Sequence, residues 1–236
     1  MKEALQTLVQ LEQQPPSYEE WSRLYPLQLA PDSPRNLKQL YEDIYKLQEL
    51  RLIAVYGVLK LWGKAVILDV YYEGERKYKL HETRLTLLSG KTIEDYLNGD
   101  KTAVTPSAPR PTTHSLSERM RLEGEEPRQA MIRGIREELF TYGTKGCLPD
   151  SYLETVLENQ LTHIQHHHLE RGPNAAGKSY AGIPSVHDWY CASITFTPEM
   201  RLPIDEIDGV PQPLYEYIPE RGYLNVFKWE ELPDQG

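Results

Sequence analysis

An α/β (α+β) fold is predicted by three features of this 236-residue chain. Amphipathic helical stripes fill residues 3–47. β-rich runs occupy 53–88 and return at 189–197 and 223–229. A charged helix over 127–140 stands between the two β-rich regions. The expected organisation is a helical N-terminal segment, 1–52, ahead of one main domain, 53–236, that contains a Pro/Thr-rich loop over 100–114.

The first predicted helix, 3–13, carries Leu5, Leu8 and Leu11 on one side and stops at Pro15-Pro16. Ser17-x-x-Glu20 is a capping-box signal for a second helix that runs through Leu24 and stops before Pro26. Ser33-Pro34 opens a third, where Leu37, Leu40, Tyr41, Ile44 and Leu47 form a stripe. Next, 53–60 and 64–72 read as strands joined at Leu61-Trp62-Gly63, and Glu73-Gly74-Glu75 turns the chain into a strand over 76–88. Thr92 caps a short segment ended by Gly99. Helices followed by a hairpin also suit a winged-helix module. However, Glu42, Asp43 and Glu49 make the third helix a poor partner for a nucleic-acid groove. Asp100–His114, with Pro106, Pro109 and Pro111, reads as a long loop.

Pro127 suits the first position of the charged helix, and Met131, Ile135 and Leu139 recur every four residues toward a core. Gly134, Glu137 and Glu138 fall on another face. Two carboxylates together are a hard-oxygen site for Mg²⁺ or Mn²⁺. The competing reading is a solvated acidic face paired with Arg133 and Arg136.

Beyond the helix, 150–157 is helical, with Leu153, Val156 and Leu157 on one side. The runs 189–197 and 223–229 alternate as strands. His163, His166, His167 and His168 invite a transition-metal reading. Three consecutive side chains cannot converge from regular backbone, so a polar loop or half-exposed strand is expected there. Gly172–Ser179 matches the phosphate-cradling pattern G-x-x-x-x-G-K-[ST]. It lacks the buried strand before it and the helix after it that would align N–H groups on a phosphate. A surface loop is expected instead, with Lys178 as a candidate contact for an anionic ligand.

Glu125, Arg133, Ile135, Glu137 and Glu138 fall in the register of the Nudix box, with Gly124, Pro127 and Ala130 matching its usual lead-in. The stretch 119–143 thus resembles that box. The C-terminal Phe227-Lys228-Trp229-Glu230-Glu231-Leu232 is similar to the family's late aromatic region. Four positions depart from the pattern: Arg119 and Phe140 stand in Gly slots, Thr141 in the last apolar slot, and Gly134 in place of the first Glu of the core.

The resemblance implies a Nudix-like mixed β-sheet sandwiched between helices. It also implies Mg²⁺ or Mn²⁺ as cofactor and hydrolysis of a diphosphate-containing, nucleoside-diphosphate-type small molecule. Glu137 and Glu138 become the catalytic and metal-binding residues, Glu125 (with Glu126 beside it) a further metal carboxylate, and Arg133 a structural brace of the box. A later-loop ligand would come from Glu199, Asp205, Glu206 or Asp208. Gly134 implies weak or altered activity, and the alternative is a catalytically inactive module for ligand binding, regulation or protein interaction.

A net charge of −9 and pI near 5.3 exclude the basic footprint of a general nucleic-acid binder. A phosphorylated small-molecule partner remains compatible, since a metal bridges two anions. Two cysteines, Cys147 and Cys191, build no disulfide framework. The sequence shows no membrane-spanning run and no signal peptide, and a cytoplasmic location is expected.

Overall fold

The structure, a computed structural model, describes residues 15–106, 113–140, 148–175, 179–219 and 222–233. The helix expected over 3–13, Lys178 and Cys147 lie outside them. The fold is mixed α+β, a large sheet with a few helices. Nine strands form the sheet: β1 (Leu50–Val55), β2 (Val58–Glu73), β3 (Lys77–Leu87), β4 (Val104–Pro106), β5 (Leu116–Met120), β6 (Gln165–Arg171), β7 (Ser185–Phe196), β10 (Leu214–Ile218) and β11 (Tyr223–Glu231). Its main path runs β10-β11-β3-β2-β7-β6, with β1 and β5 on β2 and β4 on β3. β8 (Glu206–Ile207) and β9 (Val210–Pro211) make a separate small hairpin.

Two compact units emerge. The first comprises Met1–Lys64, Arg119–Glu125 and His167–Trp189, so it joins the N-terminal segment to two later stretches. Its helices are α1 (Tyr18–Leu24) and α2 (Leu37–Tyr45). Ser17 caps α1 through the expected capping box. Asn36, rather than Ser33, caps α2, because Gln39 three residues on completes a reciprocal box with it. Leu47 lies past the helix end and is exposed. Trp21, Leu40, Leu50, Leu52, Leu61, Tyr180 and Ile183 form the unit's core, with Tyr18, Tyr41 and Tyr45 packed on it.

The β1–β2 hairpin turns at Tyr56-Gly57, not at Leu61-Trp62-Gly63. Both turn residues have positive φ, 51° and 79°, the pattern of a type I′ turn that matches strand twist. Gly63 lies within β2 opposite Leu50. There a Cβ would come within 2.7 Å of Leu50 Cδ2, so that glycine marks a close approach and not a turn. Tyr56 is fully exposed and holds a left-handed conformation that asparagine tolerates better. Tyr56→Asn is therefore expected to stabilise the protein by roughly 0.5–1 kcal/mol, and Gly57→Val to destabilise it by more than that, both measured by urea denaturation.

The second unit comprises Ala65–Glu118, Glu126–His166 and Tyr190–Gly236. Its helices are α3 (Ile93–Leu97), α4 (Pro127–Leu139) and α5 (Asp150–Leu157). Thr92 caps α3 and Gly99 follows its end at φ +105°, as expected. Of the loop expected over 100–114, residues 107–112 lie outside the described residues. Lys101–Ala103 is a 3-10 turn, β4 pairs with Leu85–Leu87, and Thr113 bridges to Glu82. Leu85, Ile93, Tyr96, Ala103, Leu224 and Val226 pack as one cluster. α4 buries Ala130, Met131, Ile132, Ile135 and Leu139, and Phe140, its C-cap, packs on Phe196. β10 was not legible as a strand; it pairs antiparallel with β11 and lies against α4.

Candidate active site

Antiparallel register places a polar row on one face of the second unit's sheet. Glu216 on β10 faces Asn225 on β11, which faces Arg84 on β3. One step along, Phe227 faces Glu82. Directly opposed residues share a face, so Glu216, Asn225, Arg84 and Glu82 project the same way. Arg84 Nε donates to Asn225 Oδ1 at 2.8 Å, and its Nη2 donates to Glu82 Oε1 at 3.3 Å. Asn225, almost fully buried, donates from Nδ2 to Glu216 Oε2 at 2.5 Å. Thr113 Oγ1 donates to Glu82 Oε2 at 2.9 Å.

Glu138 on α4 meets this row. Its Oε2 is shut from solvent and has no hydrogen-bond partner among the described residues. Burial pushes its carboxyl well above the usual glutamate range, and the negative charges of Glu82, Glu216 and Glu118 push it further, against Arg84. Burial likewise raises Glu216, against the hydrogen bond from Asn225. A carboxyl oxygen shut from solvent without a partner, close to three other carboxylates, is an arrangement that folding alone does not favour.

Glu118 enters from β5 against Gly134. A Cβ built on Gly134 would sit 3.3 Å from Glu118 Cβ and 3.6 Å from its Cγ, so the glycine leaves the room that Glu118 occupies. Arg133 reaches Glu118 Oε1 at 3.2 Å and Glu137 Oε2 at 3.4 Å.

The structure thus separates the two adjacent glutamates. Glu138 sits one helical turn beyond Gly134 and turns toward the carboxylates. Glu137, 46% exposed, sits one turn beyond Arg133 and pairs with Arg133 and Arg136, as the solvated-face reading expects. Glu125 braces the loop before α4, accepting the Arg121 N–H at 2.7 Å. Glu216 is a late carboxylate among the charges acting on Glu138. Glu206 lies on an exposed hairpin, and Glu199 is held low by hydrogen bonds around its own turn.

Glu82, Glu118 and Glu216 were missed in the sequence. The available signal was a charged residue at an inward position of an alternating strand: Tyr78 and Leu80 are buried, and Glu82 and Arg84 continue their parity. The histidines at 166–168 lie on exposed β6. His166 stacks on Tyr190, and His168 Nδ1 lies 3.0 Å from Asp188 Oδ1. Gly172–Ala175 follows β6 as a turn, and no helix follows Ser179 before β7. Cys191 is a free, half-buried thiol whose pKa is raised by burial. No helix among the described residues is long and apolar enough to cross a membrane.

No family model matches the chain, and no curated protein matches it. Among solved structures, a C. elegans Ap4A hydrolase in binary complex is similar at 18% identity, covering 71% of this chain and 79% of that one, with a TM-score of 0.24. A likeness of that size assigns no family.

Proposed function

We propose that the protein is a divalent-cation-dependent hydrolase of the Nudix kind, acting on a diphosphate-containing small molecule. The observation that carries this reading is Glu138, whose Oε2 is shut from solvent with no hydrogen-bond partner among the described residues, beside the charges of Glu82, Glu216 and Glu118. An all-oxygen donor set of this charge fits Mg²⁺ or Mn²⁺. Glu138 and Glu82 would hold the cation, with Glu216 and Glu118 contributing charge or further oxygens. Glu137 and Glu125 then have secondary roles: Glu137 is 46% exposed and pairs with arginines of its own helix, and Glu125 holds the loop before α4 through the Arg121 N–H. A bound cation would offset the diphosphate charge and make water a better nucleophile at neutral pH.

The chain's own groups are organised for that task. Asn225 fixes Glu216, and Thr113 and Arg84 orient Glu82 from two sides. Glu138 keeps Oε2 open toward the other carboxylates, where it would take either the cation or the proton of an attacking water. Glu118 stands in for the carboxylate that Gly134 lacks, reaching the same space from a strand. Its pairing with Arg133 favours a second reading, a ligand-binding module with little catalysis, because a carboxylate held by guanidinium is a weaker ligand.

Purified protein assayed with nucleoside diphosphate derivatives and Mg²⁺ or Mn²⁺ separates the two. Hydrolysis should be slow, should require the cation, and should fall by on the order of 10²–10⁴ in Glu138→Gln. Glu118→Gln should lower it as well, more than Glu137→Gln does. Turnover that survives Glu138→Gln would rule out this site. Cation-dependent ligand binding without turnover would establish the binding-module reading.

A further inference from the structure

We propose that His81, His114 and Glu230 form a second metal site, for a first-row transition-metal dication with Zn²⁺ as the favoured occupant. Each residue offers one ligand atom, and the three atoms all lie within 4.8 Å of one another. His81 Nε2 lies 2.5 Å from Glu230 Oε2, and the His81 and His114 rings meet edge to face with centroids 4.2 Å apart.

Register explains the convergence. β3 and β11 pair His81 with Lys228 and Lys79 with Glu230, so Glu230 is the diagonal neighbour of His81 on the same face. Glu82 and Thr113 exchange backbone hydrogen bonds of 2.9 and 3.1 Å, which delivers the next residue, His114, beside His81. Successive strand residues point to opposite faces. Thr113 therefore serves Glu82 on one side of the sheet while His114 serves His81 on the other. The imidazole site is thereby distinct from the carboxylate cluster around Glu138.

The donor set decides the metal. Two imidazole nitrogens and one carboxylate oxygen suit Zn²⁺ and its first-row neighbours, whereas Mg²⁺ prefers oxygen ligands in an octahedron. Three protein ligands leave a coordination position for water or a small anion. The His81 side chain is only 13% exposed, whereas Glu230 is 67% exposed and His114 is exposed as well, so the site opens to solvent on the side of those two residues. An ion pair between His81 and Glu230 would use two of these groups; the His114 nitrogen in the same small volume is a donor that such a pair does not need.

The test is titration of the chelator-treated, full-length protein with Co²⁺, read by ligand-field absorption, followed by displacement with Zn²⁺ and calorimetry of Zn²⁺ binding. A low-coordinate Co²⁺ spectrum, quenched by an equimolar amount of Zn²⁺, is expected. His81→Ala and His114→Ala should each weaken Zn²⁺ binding by about 100-fold or more, at or beyond the loss from changing an outer-shell partner. His81→Gln, which keeps a polar side chain on the strand, repeats the measurement if His81→Ala does not fold. Glu138→Gln should leave the affinity unchanged, and so should the combined His166→Ala, His167→Ala and His168→Ala variant, which removes the exposed imidazoles of β6. A parent protein that takes up neither ion would overturn the proposal. So would binding that survives loss of His81 and His114, or binding lost only with the β6 histidines.

Discussion

Glu138→Gln is expected to stabilise the metal-free protein at neutral pH and, on the proposed reading, to remove turnover. The folded state raises the Glu138 pKa, so the folded chain holds its proton more tightly than the unfolded chain does. Stability attached to this group is fully present below the unfolded value near 4.5 and is lost as pH rises through the higher folded value. Glu216 shifts in the same direction and adds to the trend. Gln cannot ionise, so the variant escapes the loss. The charged groups that set the effect are Glu82 and Arg84 on β3, Glu216 on β10 and Glu118 on β5.

Thermal unfolding in chelator should show parent and variant nearly equal at acid pH. The variant should pull ahead toward neutral pH, with the higher unfolding midpoint of the two. Mg²⁺ or Mn²⁺ should raise the parent's midpoint and not the variant's. A variant less stable than the parent at every pH would mean that Glu138 is satisfied by a partner.

Asp43→Ala is expected to be the most destabilising single change in the first unit. Asp43 is buried at the end of α2, where it accepts two bonds from Arg35 Nη1, at 2.8 and 3.2 Å, one from Arg119, and one from the Tyr180 hydroxyl at 2.6 Å. Removing it leaves two guanidinium groups facing each other and a buried hydroxyl without an acceptor. Breaking a buried pair from one side costs about 3–5 kcal/mol. At about 2–4 °C per kcal/mol, the midpoint should fall by about 6–20 °C. Asp43→Asn should recover part of this, since it keeps an acceptor but not the charge. A loss below about 1 kcal/mol in urea denaturation would show that water replaces the carboxylate freely. This cluster also gives Arg119 a role. It stands where the resemblance has glycine because its guanidinium reaches Asp43.

The second unit's helix was legible because Met131, Ile135 and Leu139 must share a stripe at 3.6 residues per turn. The same arithmetic separates the two glutamates, since Glu137 follows Arg133 by one turn and Glu138 follows Gly134. The Tyr56-Gly57 turn was hidden because Tyr56 is no turn former, while Gly63 looked like one and instead admits Leu50. β10 was masked by Pro211, Pro213 and Pro219 around Leu214–Ile218. The site was illegible for a deeper reason. Glu82, Glu118 and Glu216 belong to separate strands, and their meeting depends on the pairings of β3, β11 and β10 and of β5 with β2, which local periodicity does not encode.

The fit of Glu118 against Gly134 makes the two positions interdependent. A side chain added at Gly134 presses on the Glu118 Cβ at 3.3 Å, and shortening Glu118 leaves a hollow with no acid in it. On the proposed reading neither residue has a harmless solitary replacement, whereas exchanging them together would move the acid from strand to helix with the occupied volume nearly conserved. Such a pair is epistatic: each residue constrains which changes the other can accept, although they stand far apart along the chain. A lineage that crossed from one arrangement to the other would pass through a crowded or an acid-poor intermediate, which tends to hold whichever arrangement is established.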